Sequence, residues 1–123
     1  MRVSREVDAP AEAAWRVLTD TREWPAWGPS VVEVIVSPGP VLTAASRGRV
    51  KTALGVWLPF RVTRFEEGAR WDWVVAGVPA TGHLVEALGP GRCLVSFEVP
   101  TWAAPYALVC RAALGRIAER VAR

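Results

Sequence analysis

The sequence predicts an α+β fold in which a seven-stranded antiparallel sheet curves around a long C-terminal helix. Three observations carry this expectation. A single helical period interrupts the strand pattern near the N-terminus, six strand-like segments then follow, and the chain returns to a helical period at its end. The turns between the strands are too short for the crossovers that parallel strands need. The apolar stripe of the last helix has no large surface to cover other than the sheet, so the sheet should curl around it.

The elements follow in order. After an opening strand that runs to Val7, the stretch Asp8-Ala-Pro10-Ala-Glu12 starts a helix. Pro10 suits the first helical position, where a missing N–H is harmless, and Glu12 complements the helix dipole in the first turn. Ala14, Trp15 and Leu18 recur at helical spacing, and Pro25 with Gly28-Pro29 stops the pattern after a short turn over Trp24-Pro25-Ala26-Trp27. Strands are expected over Val31–Val36, Arg47–Leu54, Trp57–Phe65, Trp71–Gly77, Thr81–Leu88 and Cys93–Val99. Pro38-Gly39-Pro40, Glu66-Glu67-Gly68, Val78-Pro79-Ala80 and Gly89-Pro90-Gly91-Arg92 punctuate them. The segment Thr101–Arg123 reads as the terminal helix, spanning Trp102 to Val121. Tyr106, Cys110, Ala113, Ile117 and Val121 form its stripe, Thr101 is its N-cap, and Pro105 falls in its first turn.

At 123 residues the chain is read as one domain, 1–123. A content of 51% hydrophobic and 22% charged residues excludes disorder, and seven Trp against one Tyr call for an apolar interior larger than simple packing requires. No apolar run approaches the roughly 20 residues of a membrane span, so stable membrane insertion is not expected. The charged start, Met1-Arg2-Val3-Ser4-Arg5-Glu6, lacks the apolar core of a signal peptide, and a cytoplasmic location follows as the expectation. Cys93 and Cys110 are too few and too separated for a disulfide framework and read as reduced thiols. A net charge of +3 comes from arginines scattered among acids, which argues against a nucleic-acid partner. One histidine and two distant thiols make no zinc site, and neither a nucleophile elbow nor a phosphate-binding glycine motif occurs. No metal and no cofactor are expected.

The opening strand with Asp8-Ala-Pro-Ala-Glu-Ala-Ala-Trp15, the Leu18-Thr19-Asp20 to Trp24-Pro25-Ala26-Trp27 block, the Gly82-His83 strand, the Gly89-Pro90-Gly91-Arg92 hairpin and the terminal helix occur in an order with a known counterpart. The chain resembles the START-like, or helix-grip, fold of the polyketide cyclase/dehydrase and lipid-transport superfamily, also called SRPBCC. The resemblance covers essentially the whole chain. It implies a curved sheet that grips the terminal helix around a ligand-sized cavity, in a family whose members bind lipids, sterols, hormones, polyketides or quinones.

Alternation identifies the face that would line such a cavity. With Val78-Pro79-Ala80 as a hairpin loop, Trp71, Trp73 and Val75 share a face with His83, Val85 and Ala87, and the next hairpin adds Cys93, Val95 and Phe97. Asp72, Glu86, Ser96 and Glu98 then face water, and a one-residue slip would invert both sets. The strand over residues 57–65 has two phases: Phe60 and Val62 inward, followed by Arg64, or Arg61, Thr63 and Phe65 inward. Trp15 and Trp24 are read as anchors of the first helix, and Glu66-Glu67 as a solvated turn. The candidate ligand-binding set is Trp27, Phe60, Trp71, Trp73, His83, Phe97 and Tyr106. Tyr106 is placed to donate to a ligand carbonyl or to anchor helix to sheet.

His83 is the only side chain whose ordinary pKa allows proton transfer near neutrality. It can serve as a hydrogen-bonded wall imidazole, as a direct ligand partner or as a general acid/base. Acid/base work needs an orienting carboxylate, and the acids alternate away from its face, so no catalytic residue is assigned. The reading is therefore a protein that binds a small hydrophobic, aromatic or lipid-like molecule between sheet and terminal helix. The alternatives are an aromatase/cyclase-type enzyme, with Arg61 or Arg64 as the polar group in its cavity, and an interaction module whose apolar patch recruits a protein partner or a second copy to form a homodimer.

Overall fold

The computed structural model describes residues 1–122. The chain runs through β1 (Arg2–Val7), α1 (Ala11–Thr19), a 3-10 turn (Thr21–Glu23) and α2 (Trp24–Trp27). Six strands follow: β2 (Val31–Ser37), β3 (Arg47–Thr52), β4 (Trp57–Glu66), β5 (Arg70–Val75), β6 (Val78–Gly89) and β7 (Arg92–Glu98). A 3-10 segment (Thr101–Tyr106) leads into α3 (Ala107–Val121). All seven strands join in one antiparallel sheet ordered β1-β7-β6-β5-β4-β3-β2, as the short connections require.

The helices lie on one face of this sheet. The α3 helix packs on β1 and β7 and against α1 and α2, burying Cys110, Ala113, Leu114 and Ile117. That placement covers the β1–β7 half of the inner face and leaves the half from β2 to β5 without α3 above it. Arg123, the last residue of the expected terminal helix, lies outside the described residues.

The terminal helix starts later than its sequence pattern suggests. With Thr101 as N-cap, Pro105 would occupy the first position whose N–H must bond within the helix, and proline has none to give. Accordingly Thr101 makes no cap, Ala103 takes non-helical angles (φ −108°, ψ 28°), and the α-helix proper begins at Ala107. Pro10 likewise sits one residue earlier than expected, as the N-cap of α1.

Two strand details also differ from expectation. The β5–β6 hairpin turns over Ala76-Gly77 rather than Val78-Pro79-Ala80. Both turn residues have positive φ, 52° and 79°, the twist that suits a two-residue hairpin. A register shift between Asp72 and Val74 compensates, so Trp71 still pairs with His83 and the inward set keeps its phase. In β4 the two alternative phases each hold for part of the strand. Phe60 and Val62 are buried, then a shift between Val62 and Arg64 leaves Arg64 exposed and turns Phe65 toward Trp15, with ring centroids 5.8 Å apart.

The outer face carries ion pairs where bare acids were expected. Arg70 bonds both Asp72 oxygens, at 2.9 and 3.0 Å, and reaches Glu98 at 2.5 Å, while Arg2 holds the other Glu98 oxygen. These arginines, Arg70 foremost, pull the Glu98 carboxyl down to about 2. Glu86 is exposed as expected. Ser96 is not: it is buried and its Oγ lies 2.7 Å from that of Ser4 on the neighbouring strand.

Candidate functional site

The inner face of β5, β6 and β7 meets α2 in a cluster of aromatic rings. Trp24, expected only to anchor a helix, lies at its centre. It stacks on Trp71 (5.4 Å, 7°) and meets Trp73 edge-on (5.3 Å), with Phe60 tilted against it (5.8 Å). On its other face Trp71 stacks on His83 at 3.7 Å and 12°. Phe97 closes the far side against His83 and Trp27. The indoles of α2 are fixed by local backbone: Trp24 Nε1 donates to the Leu18 carbonyl and Trp27 Nε1 to that of Val17, both at 3.0 Å. Offset and edge-on contacts of this kind each add about 0.5–1.5 kcal/mol beyond burial.

The structure thus brings six of the seven candidate residues, Trp27, Phe60, Trp71, Trp73, His83 and Phe97, into one packed cluster. Five of them, Trp27, Trp71, Trp73, His83 and Phe97, border a small cavity, and Phe60 packs behind it. The cavity left among the rings and α3 is about 40 Å³, room for water and not for a ligand. The interior is therefore smaller than seven tryptophans suggest, because the rings pack on one another.

His83 sits inside a hydrogen-bond chain whose direction is fixed at both ends. Its Nδ1 lies 3.2 Å from the Trp71 carbonyl, which can only accept, so Nδ1 carries the proton. Nε2 then accepts from the Thr81 hydroxyl at 3.2 Å, and the Thr81 oxygen in turn accepts from Trp73 Nε1 at 3.2 Å. Both ring nitrogens have internal partners. Burial pushes the imidazole pKa down to about 3, with the nearby Arg70 charge adding to the effect and the Trp71 carbonyl opposing it. The ring is neutral at physiological pH. Thr81 was not singled out from the sequence, although its position two residues before His83 on the same strand face is a readable signal.

A ligand-sized volume lies beside this cluster, at the end of the sheet left free by the late start of α3. An open groove of about 450 Å³ runs between the strands from β2 to β6 and the 3-10 segment. Trp73 forms part of its floor, with Val75, Leu58 and Val50; Pro79, Ala103, Trp102 and Tyr106 form its walls. No charged side chain lines it; Ser30, Thr52, Thr81 and Tyr106 supply hydroxyls. Tyr106, 40% exposed, shares a 2.9 Å hydrogen bond with Ser30, tying the 3-10 segment to the start of β2. Arg61 and Arg64, weighed as polar groups inside a cavity, both project from the outer face, and Arg64 pairs with Glu66.

The turn expected to be solvated also has a structural partner. Glu67 accepts from Trp15 Nε1 at 2.8 Å, fixing α1 to the β4–β5 hairpin, and an indole nitrogen finding a distant carboxylate has no local sequence signal. Among the described residues, no three His, Cys, Asp or Glu side chains converge at metal-binding distance. Among the described residues, too, no helix is long and apolar enough to cross a membrane.

Solved structures show the same architecture. An uncharacterised protein from Bacillus thuringiensis is 13% identical with a TM-score of 0.73, the match covering 98% of this chain and 97% of that one. A protein from Chromobacterium violaceum is 20% identical with a TM-score of 0.70, covering 100% and 97%. The di-domain ARO/CYC BexL, from the BE-7585A biosynthetic pathway, is 17% identical with a TM-score of 0.75, covering 98% of this chain and 45% of that one. At such identities the likeness is one of fold. No curated protein matches the chain in sequence. The model of the family described as polyketide cyclase / dehydrase and lipid transport matches residues 1–123. The chain belongs to that family, and membership implies a hydrophobic ligand-binding cavity.

Proposed function

We propose that the protein binds a small hydrophobic molecule, flat and aromatic or lipid-like, in the open groove between the sheet and the 3-10 segment, without transforming it. The observation that carries this reading is the groove: about 450 Å³ of uncharged, mostly apolar space, within the range of small-molecule sites. Trp73 and Tyr106 are the members of the candidate set that face a ligand there. Phe60, Trp71 and His83 pack on Trp73 from behind, with Phe97 and Trp27 packed behind His83 in turn. With Ser30 donating to it, the Tyr106 hydroxyl keeps its proton for a ligand carbonyl.

A cyclase reading has less support. His83 is neutral, buried and committed at both nitrogens, and the arginines considered for the cavity stand on the other face of the sheet.

Native mass spectrometry of gently purified protein, with extraction of any co-purifying small molecule, identifies the ligand class. Titration of a fluorescent apolar probe then locates the site. Trp73→Ala should weaken probe binding by about 1.5–3 kcal/mol through lost aromatic contact, and Ala103→Trp should abolish it by filling the groove. Undiminished binding in both variants would place the site elsewhere. Turnover of a polyketide by the wild type, lost in His83→Ala with binding preserved, would establish the cyclase reading instead.

A further inference from the structure

The outer face of the sheet divides its arginines unequally. On the half built from β1, β5, β6 and β7, together with the far end of β4, each outward arginine has an acid: Arg2 with Glu98, Arg64 with Glu66, Arg70 with Asp72 and Glu98, Arg92 with Glu6 and Asp8. On the β3–β4 half the pattern stops. Arg47, Arg49 and Arg61 are exposed, and none makes an ion pair among the described residues. Arg47 and Arg61 are direct cross-strand partners, an arrangement of like charges that destabilises a sheet unless an anion lies between them.

These three arginines share a shallow concavity of about 780 Å³ whose lining contains no acid. Two residues along β3 span roughly 7 Å, and directly opposed Cα atoms in an antiparallel pair lie about 4.5–5.5 Å apart. Three guanidinium forks therefore rise from a triangle small enough to converge on one tetrahedral anion. Arg49 lies 5.4 Å from the ring centroid of Trp57, which opposes Lys51; the contact leaves its charge unneutralised, and its guanidinium swings back along β3 to meet an anion shared with Arg47 and Arg61. A carboxylate offers two oxygens and one charge. A phosphomonoester offers three oxygens and nearly two charges, a closer match to three bidentate donors.

We propose that the β3–β4 outer face is a binding site for a dianionic phosphate group, held by Arg47, Arg49 and Arg61. The site is on the opposite side of the sheet from the apolar groove and stands independently of the function proposed there.

The test is an NMR titration of the full chain with sodium phosphate against sodium chloride at matched ionic strength. Phosphate should produce saturable shifts at the amides of Arg47, Arg49 and Arg61, and the Arg47→Gln/Arg61→Gln double variant should lose about tenfold or more in affinity. This variant removes a like-charge pair, so its fold should persist, which its amide spectrum reports directly. Arg116→Gln, on α3, should titrate like the wild type. Vesicles of phosphatidic acid in phosphatidylcholine distinguish the source. Cosedimentation of the wild type that the double variant loses assigns a lipid headgroup, and saturable binding of free phosphate alone assigns a soluble phosphorylated molecule. Equal affinity in the double variant, or saturable binding to neither probe, overturns the proposal.

Discussion

Lowering the pH isolates the energetic role of His83, because it is the only histidine and its folded environment holds its pKa near 3 against an ordinary 6.5. In the unfolded chain the ring takes up a proton below pH 6.5; in the folded chain it does so only near pH 3. Unfolding therefore gains protons as the pH falls, and the stabilisation present above pH 6.5 is lost progressively toward pH 3. Each unit of pH removes about 1.4 kcal/mol, a loss on the order of 3 kcal/mol by pH 4. Urea denaturation of wild type and His83→Gln across pH 4 to 7.5 measures this. The variant will be less stable in absolute terms, since Thr81 and the Trp71 carbonyl lose their partner, but the difference between the two proteins should shrink steadily as the pH drops. Ring carbon signals of His83 should stay those of the neutral Nδ1–H tautomer throughout that range. A pH-independent difference, or a ring titrating near 6.5, would refute the buried hydrogen-bond chain.

Three further outcomes follow from packing. A Cβ at Gly48 would lie 2.0 Å from the Ile35 carbonyl oxygen, a backbone atom that cannot swing away, so Gly48→Ala should cost about 2–4 kcal/mol in urea denaturation. Trp24→Phe should cost about 1–3 kcal/mol more than Trp71→Phe, because Trp24 Nε1 is bonded to Leu18 whereas Trp71 Nε1 is buried without a partner, so its loss removes a penalty. Tyr106→Phe should speed hydrogen exchange across Thr101–Tyr106 with little change in global stability, since it releases only the tie to Ser30.

Much of the architecture was legible because strand phase and turn chemistry are local properties. Trp71, His83, Val95 and Phe97 are inward, as alternation placed them, and the terminal helix buries Cys110, Ala113 and Ile117 of its expected stripe. What escaped was set by longer-range geometry. The register shifts in β4 and between β5 and β6 leave no composition signal strong enough to place them. The size of the interior depends on how Trp24, Trp71 and Trp73 stack, and a count of tryptophans does not contain that information. Pro105 was the exception: its position four residues after Thr101 already forbade an α-helix from that point, and the groove exists partly because of it.

The pairing of β1 with β7 has a consequence for how the protein is made. The first strand bonds to the last, from Arg2 opposite Glu98 to Val7 opposite Cys93, and to no other strand of the sheet. On a ribosome, β2 to β6 can zip together hairpin by hairpin as they emerge, but β1 must wait unpaired until β7 is released. Loop closure across nearly the whole chain is then the step that completes the sheet, and such distant contacts slow folding. During that interval the backbone edge of β1 is open to strands of neighbouring nascent chains. Its charged side chains, Arg2, Arg5 and Glu6, are the residues placed to discourage such pairing.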